Sequence, residues 1–178
     1  MIENIKNIFK TIIIFFKNPI YGIRTMPNYD LKSLIIVQII VSVIAGCLSS
    51  LFNFSFFGFL HGLIIIPFVS LITSGISTLY IYYSFLFLYQ KNLPPREVFS
   101  LVVMSFVPYF IFLSLSPLLP PITLLGFLFS AILLTIGLVE RFSFPKPTVI
   151  KVVGSLFIIY FLIWIWDRID TFMLTKRI

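Results

Sequence analysis

The chain alternates between long apolar runs and short charged segments. No Asp, Glu, Lys or Arg occurs from Ser33 to Gln90, from Val98 to Val139, or from Val152 to Trp166. A helix needs about 20 apolar residues to cross roughly 30 Å of hydrocarbon, so each of the first two runs must fold into more than one crossing. The first divides at Asn53, Ser55 and Gly58, which predicts span one over residues 33–52 and span two over 56–89. Span two is overlong for one upright crossing; tilting, a bend near Pro67 or an interfacial part would absorb the excess. The second run breaks at Pro117, Pro120 and Pro121, predicting span three over 98–118 and span four over 122–139. A fifth, the shortest, is expected over 148–166. The fold class that follows is all-α: a polytopic transmembrane helical bundle, with residues 1–32 as an N-terminal segment and 33–178 as a five-span domain.

The N-terminal segment carries a different periodicity. At 100° per residue, Ile2, Ile5, Ile8, Phe9, Ile12, Ile13, Phe15 and Phe16 cover one arc of a helical wheel, while Glu3, Asn4, Lys6, Asn7, Lys10, Thr11 and Lys17 cover the other, with Ile14 the one misfit. The apolar arc is too short to cross a bilayer, and Lys17-Asn18-Pro19 ends it. This pattern predicts an amphipathic helix lying on the leaflet. A helix packed across the base of the bundle would show the same wheel.

Composition agrees with lipid as the solvent. Of 178 residues, 60% are hydrophobic and only 11% charged, with a mean hydropathy of +1.11; a soluble domain of this size has too little interior for so much apolar side chain. The net charge of +7 comes from 13 Lys and Arg against 6 Asp and Glu. On a soluble protein it would suggest nucleic acid, but these cations sit in short segments between apolar runs, so no nucleic-acid partner is expected. Lys6, Lys10, Lys17, Arg24 and Lys32 precede span one, Lys91 and Arg96 lie between spans two and three, and Arg141, Lys146 and Lys151 between four and five. In a five-span chain these segments share one side, so they predict a cytoplasmic N-terminus and an external C-terminus. The tail, with Arg168, Lys176 and Arg177, would also suit a cytoplasmic end.

Candidate chemistry is sparse. Val43-Ile44-Ala45-Gly46-Cys47 has the look of a lipoprotein cleavage box, but more membrane follows it and a 32-residue charged leader precedes it, so small residues packing inside a helix explain it better. His61 is the lone histidine and has no Cys, Asp or Glu nearby to complete a metal site. Ser74-Gly75-Ile76-Ser77 lacks the flanking glycine of a nucleophile elbow. No ionisable residue falls in the apolar centre of a span, where ion-coupled carriers keep one, and no glycine-rich phosphate loop is present. No catalytic, metal or cofactor site is expected. Small and hydroxylated residues do recur at helical spacing: Ser42 and Gly46 in span one, Ser74 and Ser77 in span two, Gly126 and Ser130 in span four, with Pro108 inside span three. Such faces let helix backbones approach closely or line a path, and the first use is commoner.

The second half of the chain has a recognisable order. Arg96-Glu97 leads into span three, which carries Ser105-Phe106-Val107-Pro108; Pro117 to Pro121 make a tight hairpin; span four ends in Gly137-Leu138-Val139-Glu140-Arg141, followed by Phe142-Ser143-Phe144-Pro145-Lys146-Pro147. With Asn18-Pro19 upstream, this resembles the Yip domain family of five-span membrane proteins over residues 15–167, and more closely its short prokaryotic members. The resemblance implies the five-span topology and residence in a prokaryotic cytoplasmic membrane. Eukaryotic members associate with Rab-type GTPases through a long cytosolic region; here 32 residues precede span one, so that association is carried to no residue. The expected function is a non-enzymatic scaffold or adaptor whose partners are the bilayer, other membrane proteins or copies of itself. Its lipid- or partner-facing surface would be Lys6, Lys10, Lys17, Arg24, Lys32, Lys91, Arg96, Arg141 and Lys146. The alternative is a small transporter or channel for a neutral or weakly charged solute.

Overall fold

The computed structural model describes residues 2–52 and 56–175, and within them the chain is helical with no strand. Helix α1 (Ile2–Lys17) turns at Asn18 into the short α2 (Pro19–Arg24). The Asn18 side chain accepts from the Tyr21 amide at 3.2 Å, and proline at the first helical position needs no partner for a missing N–H, so the corner is capped by sequence. A loop then leads to α3 (Leu31–Leu51), whose N-cap Asp30 accepts from the Ser33 amide at 3.0 Å.

Span two is one rod, Phe56–Leu88, of 33 residues, or about 50 Å at 1.5 Å per residue. It consists of α4 (Phe56–Leu60), a π-helical turn His61–Ile65, α5 (Ile66–Tyr83) and a second π turn Ser84–Leu88. The first π turn has a physical cause. Pro67 offers no N–H and its ring crowds the carbonyl four residues back; one wider turn, in which the Ile66 amide bonds back to the His61 carbonyl, accommodates it. The expected break at Asn53 and Ser55 lies outside the described residues, and Gly58 sits within α4.

Span three is α6 (Pro95–Ser105) and α7 (Val107–Ser114), interrupted at Phe106 just before Pro108. Span four is α8 (Ile122–Phe142), ended by Ser143 in the left-handed conformation. Helix α9 (Lys146–Thr175) contains the fifth crossing, Lys146–Asp167. All five are long and apolar enough to cross a membrane. Two differ from the residues hydropathy marks. Span three enters at Pro95 and stops at Ser114. The fifth is not short: α9 runs for 30 residues, since Asp167 and its charged neighbours end the apolar run without ending the helix.

Burial ranks the spans. In span three 67% of the apolar window is buried, against 17% in span two and 22% in span five. Span three is thus the hub, packed by α3, α5 and α8. Around it, large apolar side chains such as Ile44, Phe68, Ile76, Leu128, Ile158 and Leu162 stand exposed, as a surface solvated by lipid requires. Between helices, glycines set the approach. A Cβ at Gly46 would lie 2.8 Å from the Gly62 Cα, and one at Gly62 would lie 2.6 Å from the Gly46 carbonyl carbon. A Cβ at Gly126 would meet the Tyr109 Cα at 2.9 Å. With no hydrophobic drive between helices in lipid, such backbone contact supplies the packing.

Candidate functional site at the basic end of the bundle

The side chains that precede span one are fastened to the bundle. Ile8, Ile12 and Phe15 of α1 are buried with Ile23, Met26 and Tyr29 in the same core as Leu34, Leu138 and Val149, while Lys6, Lys10 and Lys17 are exposed. The helix therefore packs across the bundle base and keeps Ile13 and Phe16 open on its flank. Tyr29 pins it: its hydroxyl donates to the Asn7 carbonyl at 3.3 Å and pairs with Thr11 Oγ1. Burial pushes the Tyr29 phenol above its usual value of 10, and the Thr11 hydrogen bond opposes this. The phenol is thus neutral at physiological pH and able to donate.

Two arginines tie the loop 25–30 to the spans. Arg141, at the end of α8, donates from Nε to Glu97 Oε2 at 2.8 Å, from Nη1 to the Met26 carbonyl at 2.9 Å, and from Nη2 to Asn28 Oδ1 at 3.0 Å. Arg96 donates from Nε to the Tyr29 carbonyl at 2.6 Å. The planar guanidinium suits such divergent bonds in a way an ammonium does not. The ion-paired side chains of Arg141 and Glu97 are 18% and 27% exposed, so water screens them only in part. Met26, Asn28, Tyr29, Arg96 and Glu97 line a cleft of about 10 Å³, room for one water molecule at most. It is a clamp rather than a substrate pocket.

The nine cations of the expected surface thus divide. Arg96 and Arg141 have structural partners. Lys6, Lys10, Lys17, Lys32, Lys91 and Lys146 are exposed at the same end; the Arg24 side chain lies outside the described residues. Sequence reading missed Glu97 as the Arg141 partner, together with Asn28, Tyr29 and the Met26 carbonyl. The one signal was the adjacent pair Arg96-Glu97 at the entry to span three.

The interior candidates form a separate group. Most hydroxyls are satisfied by their own helix: Ser42 by the Ile39 carbonyl at 3.0 Å, Ser70 by Pro67 at 2.8 Å, Ser77 by Thr73 at 2.6 Å, Thr78 by Ser74 at 2.7 Å. These positions serve close packing. A lateral network joins three spans at mid-depth. Gln38, unremarked in the sequence, donates from Nε2 to the Ser70 carbonyl at 2.8 Å and to Ser74 Oγ. Further along α5, Ser77 pairs with the Tyr160 hydroxyl of α9, and Tyr80 pairs with Ser155 at 2.7 Å. Gln38 Oε1 and the hydroxyls of Ser33, Ser105 and Ser130 are buried without a hydrogen-bond partner. Pro108 is buried behind the break at Phe106. His61 is exposed on the first π turn, and among the described residues no three His, Cys, Asp or Glu side chains gather to hold a metal.

Geometry and composition together define a polytopic helical membrane protein of five apolar helices. No protein-family model, curated protein or solved structure matches the chain.

Proposed function

We propose that this chain is a non-enzymatic membrane scaffold or adaptor of Yip type, resident in a prokaryotic cytoplasmic membrane with its N-terminus in the cytoplasm. Its partners are the bilayer and other membrane proteins or further copies of itself. The observation that carries the reading is the clamped basic end. Arg96 and Arg141 hold the loop 25–30 and, through Tyr29, α1 against the bundle, which presents Lys6, Lys10 and Lys17 in a row on a fixed helix. A rigid cationic face lowers the ordering cost of docking an acidic partner or an anionic leaflet. The order of motifs shared with the Yip domain family supports the same reading.

The test is mild crosslinking of the native protein, extraction into lipid nanodiscs and mass spectrometry of what travels with it. A reproducible stoichiometric partner that is lost when Lys6, Lys10 and Lys17 are all changed to Glu supports the proposal. Unaltered association of a correctly inserted triple variant removes that surface from it.

A second reading, passage of a small neutral solute, is favoured by one observation: Gln38 Oε1, Ser105 Oγ and Ser130 Oγ are buried without partners, a costly state in a membrane interior unless something polar visits them. Liposomes that stay sealed to a broad panel of neutral solutes would dismiss it.

A further inference from the structure

An open, shallow apolar furrow of about 520 Å³ lies away from the clamp and borders the interior network at Tyr80. It runs along the outward face of α5 and its terminal π turn, lined by Ile76, Leu79, Tyr80, Tyr83, Phe87 and Leu88. Tyr83 and Phe87 stack at 5.6 Å and 9° to make one flat aromatic wall, and both are exposed. The furrow runs from residue 76 to residue 88, about 18 Å of helix, against about 15 Å for half of the hydrocarbon core. Its length is that of one leaflet. A partner helix crossing the whole bilayer would need a matching face along the whole span.

Two lysines lie beyond its lining, towards the end of the rod. Gln90 adopts the left-handed conformation at φ 52°, which folds the chain back so that the Lys91 amide bonds to the Phe85 carbonyl at 3.0 Å and Lys91 caps the end of the rod. From the neighbouring helix, Ser155 reaches the furrow residue Tyr80. Lys151 stands one turn before Ser155 on the same face of α9, towards the same end. Lys91 and Lys151 are both exposed.

We propose that this furrow binds one anionic glycerophospholipid, an acyl chain lying along the Tyr83–Phe87 wall and the phosphate bridging Lys91 and Lys151. The apolar channel, its single-leaflet length and the two lysines beyond it are the three features such a molecule would read. The site is distinct from the Lys6–Lys17 face, and it stands whether or not that face recruits a protein.

Native mass spectrometry of the purified full-length chain tests it, using phosphatidylglycerol and phosphatidylethanolamine of identical acyl chains. One retained phosphatidylglycerol, preferred on the order of tenfold, is expected for two lysine contacts with an anionic headgroup. The double change Lys91→Gln and Lys151→Gln removes that preference. Leu79→Trp, which fills the furrow, lowers retention with both lysines intact. Lys6→Gln with Lys10→Gln leaves it unchanged. Equal retention of the two lipids, or equal loss from the Lys6/Lys10 pair, overturns the proposal. So does a second copy of the chain occupying this face. Retention by the Leu79→Trp variant at the wild-type level overturns the acyl-chain half.

Discussion

At the scale of single residues, the energetics turn on what a side chain leaves behind. Arg141 makes three charge-assisted bonds from one guanidinium, so its removal strands Glu97, the Met26 carbonyl and Asn28 together. Hydrogen bonds to charged groups are worth roughly 1.5–3 kcal/mol, and partial exposure puts the ion pair in the lower part of that range. Arg141→Ala should therefore cost about 2 kcal/mol or more, read as a drop in the midpoint of thermal unfolding in detergent. Arg141→Lys should recover only part of it, because the ammonium cannot serve three divergent acceptors. If Arg141→Lys matches the wild type, charge alone holds the loop and the fork geometry is irrelevant. Gln38 behaves oppositely. Its amide donates twice, yet its carbonyl oxygen has no partner, so Gln38→Leu removes a gain and a penalty at once. Interhelical polar contacts in membranes average about 0.6 kcal/mol, and the net change should lie within about 1 kcal/mol of zero. A loss several times larger would mean that Gln38 Oε1 holds something in the folded protein.

At the scale of helices, glycine positions separate crossings from free surface. Gly46 and Gly62 face each other backbone to backbone, and a methyl on either meets main-chain atoms that cannot rotate away. Gly75 and Gly154 have nothing within 4 Å of an added Cβ. Gly46→Ala and Gly62→Ala should each destabilise the fold, while Gly75→Ala and Gly154→Ala should leave it level or raise it, by up to about 1 kcal/mol from helix propensity. Comparing the four melting curves decides whether α3 and the first π turn cross in backbone contact. This pairing also marks the limit of sequence reading. Gly46 lies one turn after Ser42 and Gly62 one turn after Gly58, small-residue spacings that each favour a close crossing, but nothing along the chain says that the two faces meet. Hydropathy located the spans because apolar length is a one-dimensional property. It misjudged the fifth because helix ends obey capping and propensity rather than apolarity, so Asp167 and the charges beyond it stay helical in α9. The partners of Arg96 and Arg141 stayed hidden for another reason: Glu97 and Arg141 are 44 residues apart, and Arg141 and Met26 are 115 apart. Only the folding of the first four spans brings them together.

At the scale of the whole molecule, the charge pattern and the clamp make a joint statement about sidedness. The clamp joins the loop 25–30, the start of α6 and the end of α8, so these three points lie at one end of the bundle whatever the membrane orientation. In the orientation proposed above, the asymmetry of Lys and Arg puts that end in the cytoplasm. The two claims separate experimentally. In a Cys47→Ala background, single cysteines replace Lys10, Lys91 and Lys146 at the basic end and Phe57 and Leu118 at the other, Phe57 in the first turn of α4 and Leu118 in the turn between α7 and α8. An impermeant maleimide added to intact cells should label positions 57 and 118, and should reach 10, 91 and 146 only after permeabilisation. Full reversal would keep the fold and invert the orientation, which would place the clamped lysines outside and remove the cytoplasmic adaptor reading. A mixed result, with 91 and 118 reacting together, would break the five-crossing topology itself, because span three alone separates them.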